Sequence, residues 1–171
     1  MSDLCLVALT DDHDLATFDC GNELLNGWLV DHALASQRAD LARTYVALDA
    51  ELVVGYVSLT TGSVRRDDAP GRYARGMPRH PIPTILIARL AVDGRRQGHG
   101  LGSRLLAEAL RLAVSASDVA AARLIVVDAI DEEAARFYRR WGFVAVPENP
   151  LRLFRKVADI RRSMTGPTAD I

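Results

Sequence analysis

Lysine is nearly absent from this 171-residue chain: Lys156 is its single example, and the other twenty basic residues are arginines. Cysteine is scarce as well. Cys5 and Cys20 are too few for a disulfide framework and lack metal-ligand spacing, which implies a reduced, cytoplasmic setting. His13, His32, His80 and His99 share no ligand spacing either, so no metal site is expected. No apolar run approaches the roughly 20 residues a membrane helix needs, and Met1-Ser2-Asp3-Leu4 is not a basic secretory start. Ser58, Ser63 and Ser103 have no His/Asp constellation to make them nucleophiles. A P-loop lysine and a dinucleotide fingerprint behind the first strand are both missing. So are internal repeats and linkers.

What remains is an ordinary soluble composition, 49% hydrophobic and 25% charged, long enough for a continuous core. We expect one domain over residues 1–164 and a frayed tail over 165–171. Leu4 to Leu9 reads as a strand, and 19–39 as one helix capped by Asp19 or Asn22. Thr44–Leu48 and Leu52–Leu59 flank Asp49-Ala50-Glu51, a hairpin signal. From Gly62 to Pro83, prolines, glycines and five arginines suggest a long functional loop. Strand Thr84–Val92 follows, then a helix from Gly100 to about Ser115 and a strand over 123–128. A helix capped by Asp131 ends at Gly142, and strands at 143–146 and 151–154 close the fold. The alternation of strand and helix in the second half predicts an α/β protein.

Between the buried strand and the helix lies Arg95-Arg96-Gln97-Gly98-His99-Gly100-Leu101-Gly102. Glycines at 98 and 100 allow a tight turn, and successive N–H groups before a helix N-terminus form an anion cradle suited to a diphosphate. A glycine-rich turn that binds nothing is the alternative. The spacing Arg95-x-x-Gly98-x-Gly100 after Leu90-Ala91-Val92 resembles motif A of the GNAT acetyltransferases. Ala134-x-x-Phe137-Tyr138-x-x-x-Gly142-Phe143 resembles their second signature. The resemblance implies the GNAT fold, a mixed sheet of about six to seven strands with flanking helices, and acetyl-CoA as cosubstrate. Leu90, Ala91 and Val92 would meet the pantetheine arm, and Arg95 and Gln97 to Gly102 the diphosphate. Asp131, Ala134 and Phe137 would line the cofactor slot, although Asp131 stands where many relatives carry Asn. Tyr138 would protonate the leaving thiolate, a transfer its reference pKa near 10 permits against a thiol near 8.5.

Phe18 to Leu29, Arg43-Thr44-Tyr45-Val46 and Pro81-Ile82-Pro83 leading into Ala88–Asp93 are similar to the acetyltransferase toxins of bacterial type II toxin–antitoxin modules. That similarity implies acetylation of the α-amino group of aminoacyl-tRNA, which blocks translation. It also implies a small antitoxin, commonly of ribbon–helix–helix type, homodimers, and contact with operator DNA only through the antitoxin complex. Residues 84–92 contain no Asp, Glu or His. A strand without a base suits an α-amine, with reference pKa near 7.7–8.0, better than a lysine near 10.4. A water chain or His80 is the other source of a base. Acetylation of a small amine or protein N-terminus, and a non-catalytic CoA- or antitoxin-binding module, remain open.

The net charge of −1 conceals a segregation. Residues 1–31 hold seven acids and no Lys or Arg; residues 65–80 hold five arginines against two acids. Residues 136–162 hold eight basic side chains against two acids. Either basic segment can track a phosphate backbone. Arg72, Arg75, Arg79, Arg89, Arg139 and Arg140 are the tRNA candidates, each also readable as solvated surface.

Overall fold

The computed structural model describes residues 4–166 and contains seven strands in one mixed sheet, in hydrogen-bonded order β1-β2-β3-β4-β5-β7-β6. The strands are β1 (Leu6–Ala8), β2 (Arg43–Asp49), β3 (Leu52–Val64), β4 (Ile82–Val92), β5 (Leu124–Asp128), β6 (Val144–Val146) and β7 (Asn149–Lys156). The helices are α1 (Glu23–Asp31), α2 (Ala33–Arg38), α3 (Gly71–Ala74), α4 (Leu101–Val119), α5 (Glu132–Arg140) and α6 (Val157–Thr165). No helix among the described residues is long and apolar enough to cross a membrane.

The chain divides into two compact units. The first comprises residues up to Thr60 together with Ile87–Arg111. Here β1, β2 and β3 form an antiparallel meander, with Val7 opposite Val46 and Tyr45 opposite Val57. The two faces of the strands separate the side chains by the period of two. Val46, Val53, Tyr56 and Ala91 join Leu29 and Ala33 in one core cluster, while their neighbours Ala47, Val54 and Val92 pack with Leu105 in another. The single helix expected over 19–39 is instead two, broken at His32, whose φ of −126° leaves the helical range. The bend accompanies complete burial of both Leu29 and Ala33, a packing demand that overrides local propensity. Asn22 is the N-cap, its side chain accepting from the Leu25 N–H at 3.1 Å.

The second unit comprises Thr61–Leu86 and residues from Leu112 onward. β7 pairs antiparallel with both β5 and β6. The long loop expected over 62–83 is shorter and more ordered than its composition suggested. β3 runs on to Val64, a 3-10 turn spans Arg66–Asp68, and α3 follows. Val64, Ala69, Tyr73 and Ala74 anchor this segment by packing with Ile82, Leu124, Val126 and Phe154. Helix α4 extends past Ser115 to Val119. Helix α6 was not anticipated. It is short, with Asp159, Arg161 and Arg162 interrupting its apolar residues, and its burial rests on Val157 and Ile160. Of the expected tail, Thr165 ends α6, and residues 167–171 lie outside the described residues.

Candidate active site

In the first unit, β4 delivers Leu90, Ala91 and Val92 to a loop that enters α4. Gly98 and Gly100 have φ of +77° and +79°, and a Cβ at either would meet nothing within 4 Å. The glycines are therefore needed for backbone conformation, and the space beside them is open. The turn leads directly into α4, whose leading N–H groups have no carbonyl within the helix to bond. With the first turn of a 19-residue helix behind them, they form a cradle for an anion. The fit to a diphosphate is good.

Asp93 organises this loop. It is 1% exposed, and its carboxylate accepts from the Arg95 N–H at 3.0 Å, Arg95 Nε at 2.8 Å, Arg95 Nη2 at 2.9 Å and the Asp19 N–H at 3.2 Å. The Arg95 side-chain hydrogen bonds hold its pKa well below the usual carboxylate range, against the opposing cost of burial. Arg95 also donates to the Thr17 carbonyl, so its side chain braces the loop from within. Gln97 Nε2 donates to the carbonyls of Val92 (2.9 Å) and Cys20 (3.0 Å), and His99 Nδ1 lies 2.8 Å from the Gln97 carbonyl. Leu101 and Gly102 begin α4, and Leu101 packs toward Leu105.

Arg89, half-buried on β4, stacks on Trp28 with its Cζ 4.0 Å from the ring centroid. Trp28 stacks in turn on Tyr56 at 6.1 Å, whose hydroxyl donates to the Leu25 carbonyl at 2.8 Å. Arg89 has no carboxylate within ion-pair distance among the described residues. A guanidinium held flat in this way is ready for an anionic group. The place of Trp28 beneath Arg89 carries no local sequence signal, since the two residues stand on α1 and β4.

In the second unit, Asp131 caps α5, accepting from the Ala134 N–H at 2.8 Å. Phe137 and Tyr138 make an edge contact at 5.1 Å, and Tyr138 meets Phe143 at 5.9 Å. Burial pushes the Tyr138 phenol above its ordinary pKa, so it stays protonated across the working range. Among the described residues its hydroxyl meets no protein hydrogen-bond partner, and no buried side-chain oxygen or nitrogen is left unsatisfied. The ring is thus buried while the hydroxyl reaches an open surface.

The tRNA candidates are scattered in environment. Arg139 pairs with Glu132 at 2.7 Å, which lowers the Glu132 pKa. Arg140, Arg75 and Arg79 are exposed, and Arg79 lines a cavity of about 650 Å³ with Arg65, Arg66, Asp67 and Pro81. Arg72 lies against Tyr73.

The family described as "Acetyltransferase (GNAT) domain" matches residues 40–145. The chain belongs to the GNAT acetyltransferase family. Among its relatives, the "tRNA-acetylating toxin" of Mycobacterium tuberculosis is 40% identical over 90% of this chain and 92% of its own length. The "Probable toxin TacT" of Sinorhizobium fredii is 30% identical over 89% and 90%. A solved structure of AtaT complexed with acetyl-methionyl-tRNAfMet is 34% identical, with a TM-score of 0.87 over 95% of this chain and 100% of that one. As a GNAT protein, the chain has its glycine loop and strand residues in the first unit and α5, with Phe137 and Tyr138, in the second. Asp93 is the organising residue that spacing alone did not reveal; its burial between Arg95 and the Asp19 backbone depends on a contact 74 residues away in sequence.

Proposed function

We propose that this GNAT chain transfers the acetyl group of acetyl-CoA to the α-amino group of aminoacyl-tRNA, and so arrests translation until a cognate antitoxin neutralises it. The observation that carries this reading is the state of Asp93. It is the one acid at the end of β4, it is buried, and both its oxygens are already engaged by Arg95 and the Asp19 N–H, so it is not free to take the acceptor's proton. An acceptor that must lose a proton from a cationic amine near 10.4 is poorly served there; an α-amine near 8 is already partly neutral. The relatives named for tRNA acetylation support the same acceptor.

The amine nitrogen forms a bond to the acetyl carbonyl carbon, the carbon–sulfur bond breaks, and the amine gives up a proton to solvent. Tyr138, kept neutral by burial, donates a proton to the departing sulfur and is reprotonated from solvent, which takes up the proton the amine released. The N–H groups of Gly98 to Gly102 hold the diphosphate, with the backbone of Leu90 and Val92 on the pantetheine arm, and Arg89 meets the acceptor end. The protein works as a cytoplasmic homodimer with one catalytic domain per chain. Its antitoxin is of ribbon–helix–helix type, and operator DNA is touched through that complex.

The test is incubation with acetyl-CoA and total charged tRNA, followed by mass spectrometry of the aminoacyl adenosine. Wild type yields an N-acetylated product. Tyr138→Phe binds acetyl-CoA with little change, loses 10²-fold or more in turnover, and lets expressing cells grow. Acetylation confined to free amines or protein N-termini contradicts the proposal.

A further inference from the structure

Tyr73, buried in the second unit, is surrounded by more cations than acids, with Asp159 the one carboxylate lining the same cavity among the described residues. Arg72 lies with its Cζ 4.9 Å from the ring centroid and donates to the Tyr73 hydroxyl at 3.1 Å. Lys156 Nζ stands 5.8 Å from the same centroid, and Arg123 Nε donates to the Tyr73 carbonyl at 3.4 Å. Arg155 completes the group. It is half-buried, its Nη2 donates to Ser163 Oγ at 3.4 Å, and desolvation lowers its guanidinium pKa against the opposing pull of Asp159 and Tyr73.

These side chains line two cavities that share Lys156. The larger, about 420 Å³, is formed by Arg72, Tyr73, Gly142, Arg155, Lys156 and Asp159. The smaller, about 270 Å³, includes Arg123, Lys156 and Arg161. Asp159 pairs with Arg162, and Arg161 with Asp118 at 2.7 Å. Among the described residues, Arg72, Arg123, Arg155 and Lys156 lie outside ion-pair distance of any acid.

The lining indicates which anion. No aliphatic side chain faces the larger cavity, so a peptide would find nowhere to place apolar residues. The one aromatic ring is buried and flanked by cations, so it offers no platform for a base. The smaller cavity adds apolar walls from Pro83, Ala121, Ala122, Val157 and Ala158, so it is the larger one, with Arg72, Arg155 and Lys156 and no aliphatic side chain, that matches a phosphate backbone.

We propose that the cations around Tyr73 are a docking site for the phosphate backbone of the tRNA, binding it without regard to base sequence. This rests on the aminoacyl-tRNA reading above, and it joins Arg72 from one basic segment to Arg155 and Lys156 from the other in a single site around Tyr73. The experiment measures binding of uncharged total tRNA by fluorescence anisotropy over a range of salt, which separates docking from acetylation. Arg155→Gln/Lys156→Gln is expected to weaken binding tenfold or more near physiological salt. It is also expected to reduce the slope of log affinity against log salt by about 2, one for each lost phosphate contact. Arg72→Gln, at an exposed position that a folding defect does not reach, is expected to reduce the slope by about 1.

Equal affinity and slope in wild type and variants overturn the proposal. So does normal tRNA binding in a double variant that has escaped its antitoxin, since the site then holds an acidic peptide. A wild type that binds tRNA with the expected slope, loses it in the variants and yet acetylates no charged tRNA upholds the docking site and refutes the proposed acceptor.

Discussion

Replacing Asp93 by Asn removes one charge and one acceptor from a group that is 1% exposed. The carboxylate accepts four hydrogen bonds, three from Arg95 and one from the Asp19 N–H. An amide has a single acceptor oxygen, so its NH₂ must stand either at Oδ1, against the Arg95 N–H and Nε, or at Oδ2, against Arg95 Nη2 and the Asp19 N–H, donor against donor. The substitution forfeits about two bonds, each worth roughly 1.5–3 kcal/mol when charge-assisted and buried. Arg95 is largely exposed and can rehydrate, which places its bonds at the low end of that range. The expected loss is about 2–4 kcal/mol. Urea unfolding checks it: the midpoint falls while the m-value stays constant.

The pH dependence follows from the sign of the shift. The folded pKa of Asp93 is depressed, so its stabilisation is fully present above the ordinary carboxylate range near 4 and is lost as pH falls through the folded value. The gap between wild type and Asp93→Asn therefore holds from pH 5 to 8 and narrows below about 4. A gap under 0.5 kcal/mol at pH 7, or one that widens on acidification, refutes the account of Asp93 as the anchor of the loop.

Two further outcomes are expected. Gly98→Ala keeps its Cβ in open space but places a side chain at φ +77°, so it should lose about 1–2 kcal/mol of stability and weaken acetyl-CoA binding in calorimetry. Unchanged binding would show that the left-handed turn does not shape the cradle. Tyr138, whose phenol burial pushes upward, should show no change in the chemical shift of its ¹³Cζ through pH 10. Ionisation below that pH would remove the basis for treating it as a standing proton donor.

Much of the fold and part of the site are written locally. The hairpin turning at Asp49 to Glu51 and the cap of Asp131 follow from short-range backbone chemistry, and both stand where the sequence places them. The same is true of Gly98 and Gly100, because a left-handed φ leaves few alternatives to glycine. Other features were not legible. The break at His32, the ordered turns inside 62–83 and helix α6 each depend on what the segment packs against. Composition shows only that prolines, arginines and glycines are frequent there.

The sequence by itself determined the α/β order, the glycine turn entering α4 and the Phe137–Tyr138 signature, all set by residues within a few positions of one another. Only the tertiary structure decided which charges would find partners. Asp93 is bound to Arg95 and the Asp19 backbone, whereas Arg89 rests on Trp28, and Arg72, Arg155 and Lys156 collect around Tyr73 with Asp159 as the acid of their shared cavity. Local pattern reports a residue's preference for burial or water. The compensation of a charge depends on groups brought together from distant parts of the chain, and no spacing rule encodes that.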